Sequence, residues 1–214
     1  MGTESDKQKR LAAEAAAEVV ESGMVVGLGT GSTVAYLLPL LARRRLAITC
    51  VATSPATAVA ARSLGLDVRD FATIDSVDLA IDGADQVDPR GWLVKGGGGA
   101  LTREKIVAAA ARRFVVIVSS DKLVTSVTSP IPLELSTFGL AATLRALGDA
   151  RLRGAPPTPD HGVLADYWGA LGDLAAVATF LADVPGVVQH GLFSPAMVDE
   201  VIVGTGDGIE RWSL

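Results

Sequence analysis

The chain has 214 residues, 49% of them hydrophobic, and a formal net charge of −5. That is enough apolar side chain for one large domain, or for a domain and a smaller companion, each with its own core. With no basic run longer than Arg43-Arg44-Arg45 and a single cysteine, Cys50, the chain carries no general nucleic-acid surface, no disulfide scaffold and no CxxC zinc site.

In chain order, Met1 to Arg10 is polar and unlike a secretory signal. No apolar run has the length of a bilayer span, so the expected setting is cytoplasmic, without a membrane partner. Lys9 to Glu21 is alanine-rich and predicts a helix, closed by Gly23. Met24 to Gly29 predicts a strand, and Ser32 to Leu41 a helix with Ser32 or Thr33 as N-cap. The three arginines that follow read as a solvated C-terminus favoured by the helix dipole. Ala47 to Thr53 is the next strand, with Cys50 as a small core residue, and Pro55 to Leu64 a helix closed by Gly65. Asp67 to Phe71, Val77 to Asp82 and the short Leu93-Val94 read as strands, Thr102 to Arg113 as a helix, and Phe114 to Ser119 as the most β-branched strand of the chain.

Strands alternating with helices predict an α/β fold, a Rossmann-like doubly wound and mostly parallel sheet. After Ser129 the character changes. A Pro130 to Leu135 segment, a helix over Gly139 to Leu147, a proline-rich loop at Ala155 to Pro159, an apolar run at Val163 to Ala165, a helix over Leu171 to Ala182 and Gly186-Val187-Val188 predict a smaller α+β, ferredoxin-like domain. Met197 to Gly204 is read as the last strand, returning to the first domain with Gly204 to Gly208 as its turn. The expected division is 1–129 with 199–214 as the catalytic domain, and 130–198 as the small one.

Polar residues gather where predicted strands end: Thr30, Ser54, Asp82, Lys95 and Ser120-Asp121-Lys122. Open α/β sheets bind ligands outside the carboxyl ends of their strands, so these groups are expected on one edge. Gly27 to Thr33 joins a strand to a helix, as a structural turn or as a phosphate cradle at a helix N-terminus. It is neither a dinucleotide fingerprint, since Ser32 stands where the third glycine belongs, nor a P-loop, since no GK[ST] follows. Ser54-Pro55 also stands where a ribose-binding acid is expected after the second strand, which argues against a nucleotide cofactor. Asp82-Gly83-Ala84-Asp85 puts two carboxylates at a strand end, as turn formers or as groups facing a cleft. Gly96 to Gly99 is the stronger signal, because consecutive glycines cost chain entropy that a plain turn does not require. Glu104, in the first turn of a helix, is either a dipole-stabilising acid or a general base. His161 and His190 have no partner at ligand spacing, so no metal is expected. Trp92, Trp168 and Trp212 read as packing or interface residues.

Gly29-Thr30-Gly31-Ser32-Thr33, Asp82-Gly83-Ala84-Asp85, the run Lys95 to Lys105 (KGGGGALTREK) and Ser120-Asp121-Lys122 have the order and spacing of type A ribose-5-phosphate isomerases, which the chain resembles nearly end to end. Pro130 to Glu134 and Pro185 to Phe193 extend the likeness. The resemblance implies a cofactor-free isomerase of ribose 5-phosphate and ribulose 5-phosphate. It implies Glu104 as the base, with Asp82, Asp85 and Lys95 as the other catalytic groups. It implies substrate contacts at Thr30, Gly31, Ser32, Thr33, Gly83, Ala84, Gly96, Gly97, Gly98 and Lys122, and touches Lys9 as a phosphate contact. The family's small domain contributes to subunit contacts, which implies a homodimer or tetramer. Thr158-Pro159-Asp160-His161-Gly162 departs from the family's usual Asp-Asn-Gly-Asn turn. A second reading is a sugar-phosphate-binding regulator of similar fold. Such regulators carry a helix-turn-helix, for which the residues before Met24 are too few, and they have no need of Glu104 and Lys95 together.

Overall fold

The computed structural model describes residues 3–214; Met1 and Gly2, at the head of the polar stretch, lie outside the described residues. The chain forms two compact units. The first takes residues up to Ala84, then Arg103–Leu123 and Pro195–Leu214; the second takes Asp85–Thr102 and Val124–Ser194.

The first unit is built on a seven-stranded sheet. Its strands are β1 (Val25–Leu28), β2 (Thr49–Ala52), β3 (Asp67–Val68), β4 (Leu79–Asp82), β7 (Phe114–Ser119), β13 (Glu200–Gly204) and β14 (Ile209–Ser213). The order is β14-β13-β7-β4-β1-β2-β3, and every pairing is parallel except β13 with β14. Helices α1 (Glu4–Glu18), α2 (Ser32–Arg44) and α3 (Pro55–Ser63) accompany α4 (Leu101–Ala109), which starts in the second unit and runs into the first. Alternate strand residues face opposite sides. Val26, Leu28, Leu79, Ile81, Val115 and Ile117 share a core with the alanine face of α1 and with Leu37, Leu38 and Leu41 of α2. The other side takes α4: a Cβ on Gly27 would run into Val107.

Several boundaries move for local reasons. α1 begins well before Lys9 because Thr3 closes a capping box with Asp6, each binding the other's backbone N–H. The N-cap of α2 is Gly31, at φ 131°, rather than Ser32 or Thr33, and no side chain caps that end. Arg44 is not simply solvated: its guanidinium donates to Val20 O at 2.8 Å and to Ala17 O, satisfying carbonyls at the end of α1. Ser54, predicted at a ligand edge, caps α3 by accepting from Thr57 N at 3.1 Å. β3 stops at Val68, and a 3-10 turn at Phe71–Thr73 is started by Asp70. Cys50 is fully buried, which pushes its thiol up to about 12. The strand at Glu200–Gly204 is not the last one; β14 follows it through the Gly204–Gly208 turn.

In the second unit, β8 (Ile131–Leu135), α5 (Leu140–Leu147), β9 (Ala150–Leu152), β10 (Val163–Tyr167), α6 (Leu174–Asp183) and β11 (Val187–His190) follow one another. Their antiparallel sheet has the order β11-β8-β10-β9, the ferredoxin-like βαββαβ arrangement. A further sheet pairs β5 (Gln86–Val87), β6 (Leu93–Val94) and β12 (Leu192–Phe193) in the order β12-β6-β5. These pairings explain why 85–102 groups with the second unit, whereas the sequence boundary put it in the first domain. Lys95 accordingly follows a strand, β6, that is not part of the seven-stranded sheet. Among the described residues no helix is long and apolar enough to cross a membrane.

The approach of α1 to β13 is close enough to test. A Cβ on Gly204 would overlap the carbonyl of Gln8, a backbone atom that cannot swing aside. Gly204→Ala is expected to lower unfolding free energy by about 1–3 kcal/mol in a urea titration. An unchanged midpoint would show that α1 yields.

Candidate active site

In the first unit the site is organised by Asp82, the last residue of β4, which is 3% exposed. Its Oδ1 accepts from Thr30 N at 3.1 Å and from Gly83 N at 2.7 Å. A carboxylate fits there only because Gly29 has no side chain: a Cβ on Gly29 would coincide with the Asp82 carboxylate. Thr30 continues the network, its hydroxyl 2.9 Å from that of Thr53 and 3.4 Å from that of Thr57. Thr57 in turn donates to Gly29 O at 3.0 Å. The carboxyl ends of β1, β2 and β4 are thereby tied together. Beside them α2 opens with Gly31 and Ser32 exposed and Thr33 buried. The first N–H groups of a helix without a capping side chain, together with the dipole, attract an anion.

Glu104 lies in the first turn of α4 and is 5% exposed. Its neighbour Lys105 is pulled down by burial from 10.5 to about 7. Lys122 ends the 3-10 turn after β7, with Nζ 3.7 Å from Asp121 Oδ2. That turn is anchored from α1: Gln8 Oε1 accepts from Ser120 N at 3.1 Å and from its hydroxyl at 2.9 Å. The Ser119 hydroxyl donates to Asp121, which holds that carboxyl below its usual range.

In the second unit, Asp85 is exposed and its carboxylate accepts from Gly97 N at 2.7 Å. Lys95 is 3% exposed, with its ammonium 5.6 Å from the centroid of the Phe193 ring. Its backbone N–H donates to Gly191 O at 2.8 Å. Gly96 and Gly99 adopt φ of 106° and 78°, backbone that side chains resist. A Cβ on Gly97 would press to 2.9 Å from Asp85 Oδ1, whereas one on Gly98 would meet nothing within 4 Å. Three of the four glycines are therefore fixed by backbone or packing, and Gly98 borders open space.

The predicted residues thus fall into two sets. Thr30 to Thr33, Asp82 to Ala84, Glu104 and Lys122 belong to the first unit; Asp85, Lys95 and Gly96 to Gly98 belong to the second. Sequence reasoning missed Thr53 and Thr57, although the hydroxyl-rich Thr53-Ser54 directly after β2 was a usable signal. It also missed Arg153, whose guanidinium reaches the Gly96 carbonyl at 2.8 Å. Among the described residues no group of three or more His, Cys, Asp or Glu could hold a metal ion.

The family model described as ribose 5-phosphate isomerase A (phosphoriboisomerase A) matches residues 49–208. The chain belongs to that family. A curated ribose-5-phosphate isomerase A from Caulobacter sp. (strain K31) is 44% identical over 222 residues, covering 97% of this chain and 98% of the relative. Among solved structures, ribose 5-phosphate isomerase A from Methanocaldococcus jannaschii superposes with TM-score 0.91 at 33% identity, covering 96% of this chain and 98% of that one. A D-ribose-5-phosphate isomerase in complex with phospho-erythronic acid gives 0.92 at 34% identity, with complete coverage of both chains. The isomerase reading therefore stands, and the non-catalytic regulator does not.

Lys105 makes stability of the isomerase depend on pH. Its folded value lies below the unfolded one, so between about pH 7 and 10 the unfolded chain binds the extra proton. Stability gains from this group as pH rises through that window and loses as pH falls towards 7. Lys105→Met is expected to flatten the rise in urea midpoint between pH 7 and 10 by the equivalent of about 1–3 kcal/mol. Parallel profiles for the two proteins would mean that Lys105 stays charged throughout.

Proposed function

We propose that the enzyme interconverts D-ribose 5-phosphate and D-ribulose 5-phosphate through an enediolate, with Glu104 as the general base. The transferred proton is weakly acidic, so the reaction needs a positioned base and stabilisation of the developing oxyanion. Glu104 takes the proton from C2 and returns it to C1. Lys95 and the N–H groups of the glycine loop left open to substrate stabilise the enediolate oxygen. The furanose ring must open first, and the carboxylates of the Asp82-Gly83-Ala84-Asp85 turn are the groups available for that proton transfer. Thr30, Gly31, Ser32 and Thr33, with Gly83, Ala84 and Lys122, bind the substrate, whose phosphate anchors the far end and orients the reacting carbons.

The observation that carries this reading is the burial of Glu104 in the first turn of α4, the helix that directly follows a glycine loop preceded by a buried lysine. Burial favours proton transfer away from water. The phospho-erythronic acid complex of a relative adds support, since a phosphorylated sugar acid carries both a phosphate and a planar anion like an enediolate. The proposal extends to a cytoplasmic setting, in keeping with charged sugar-phosphate substrates.

Glu104→Gln is expected to lower kcat by about 10²–10⁴-fold with KM little changed. Product formation is followed with EDTA present throughout, and wild-type turnover is expected to persist. Near-wild-type kcat in the variant would remove Glu104 from the role of base.

We also propose that the enzyme is a homodimer, or a tetramer, assembled through its second unit. That unit holds Phe138, 92% exposed, together with Trp168, Phe180, Leu152 and Val188, apolar side chains that a lone protomer leaves to solvent. Sedimentation velocity is expected to show a species larger than 22.0 kDa. Phe138→Asp is expected to weaken it, and a wild-type monomer at micromolar concentration would refute the assembly.

A further inference from the structure

Arg153 stands immediately after β9, far in sequence from the glycine loop, yet its guanidinium closes on that loop. Nη1 donates to Gly96 O at 2.8 Å and lies 3.4 Å from Gly97 O. The other edge of the fork is held by Asp166 on β10, with Nε to Oδ2 at 2.8 Å and Nη2 to Oδ1 at 2.5 Å. Both side chains are about one-fifth exposed, at 19% and 20%. The backbone is fixed as well, since Arg153 N donates to Leu164 O at 2.9 Å, and Leu164 lies where a Cβ on Gly99 would sit.

The consequence follows from peptide geometry. A trans peptide is planar, so its C=O and N–H point in opposite directions. The carbonyl of Gly96 shares a plane with the N–H of Gly97, and that of Gly97 with the N–H of Gly98. Drawing both carbonyls towards one cation turns both N–H groups away from it. The first of them is then met by the Asp85 carboxylate. The second, on Gly98, belongs to the one glycine of the loop where a Cβ would meet nothing within 4 Å. A cation on a peptide oxygen also polarises the same peptide, which strengthens its N–H as a donor. Lysine could supply the charge but not the fork that grips Asp166 and the loop at once.

We infer that Arg153, held by Asp166, is a positioning residue that aims the Gly98 N–H at the oxyanion formed during isomerisation. This rests on the reading of the glycine loop as the oxyanion cradle. The test takes Arg153→Ala, Arg153→Lys and Asp166→Asn, with kcat and KM for ribose 5-phosphate, melting temperature, and hydrogen exchange in peptides covering 93–101. The Ala variant is expected to lose about 10²-fold in kcat with KM moved by less than about 3-fold, the scale of a misplaced catalytic donor. Lys is expected to recover only part of that, and Asn at 166 to lose less than Ala at 153. Exchange is expected to rise in 93–101 ahead of other peptides, and millimolar guanidinium to restore part of kcat in Arg153→Ala but none in Glu104→Gln. If the Ala variant does not fold, the Lys and Asn variants carry the same comparison. Faster loop exchange with wild-type kcat would overturn the inference by showing that the loop is no cradle. Unchanged exchange with wild-type kcat would overturn it by showing that Arg153 does not hold the loop. A kcat loss with exchange raised throughout the protein and no guanidinium rescue would reduce Arg153 to a stability role.

Discussion

The first half of the candidate site depends on one buried carboxylate. Asp82 ends β4 inside the protein and accepts backbone N–H groups from Thr30 and from its own successor, Gly83. A buried carboxylate of this kind is tolerated only with such donors. Its place exists because Gly29 leaves it vacant, so the glycine of one turn and the acid of another are a single steric unit. From it follow the direction of the Thr30 turn, the hydroxyl chain through Thr53 and Thr57, and the start of α2 with its uncapped N–H groups.

The second half has a different logic. Its glycine loop is shaped by charges on either side, Asp85 on an N–H and Arg153 on the carbonyls, and by Leu164 beneath Gly99. The chain passes from one unit to the other between Ala84 and Asp85, and back between Thr102 and Arg103. Both passages fall inside the motifs proposed above to carry the chemistry. Glu134 marks the return passage: this buried carboxylate accepts hydroxyl bonds from Thr102 and from Thr158. The turn that departs from the usual family pattern is therefore tied, through Thr158, to the start of the helix that bears Glu104.

What the sequence made legible was whatever announces itself locally. β7 is an unbroken β-branched run and was read to the residue, and the alternation of strands and helices revealed the doubly wound sheet. Glycine runs and acids at strand ends stood out because their composition is costly without a purpose. Long-range geometry was not legible. β14, with the sequence IERWS, has no apolar face to betray it, and it exists because β13 offers an edge. The membership of β6 in a separate sheet depends on β12, about a hundred residues away in sequence. Arg44 and Arg153 look like surface charges until the carbonyls they serve are known.

The placement of β13 has a bearing on how the chain is made. β7 lies between β4 and β13, and all six of its residues are buried. During synthesis β4 and β7 are complete long before Glu200–Gly204 emerges. Until then β7 offers a row of unsatisfied amides and carbonyls on an apolar ribbon, a template for any other extended chain. A prematurely terminated product would keep that edge permanently. β13 thus covers the most apolar strand of the sheet, and β14 in turn covers β13.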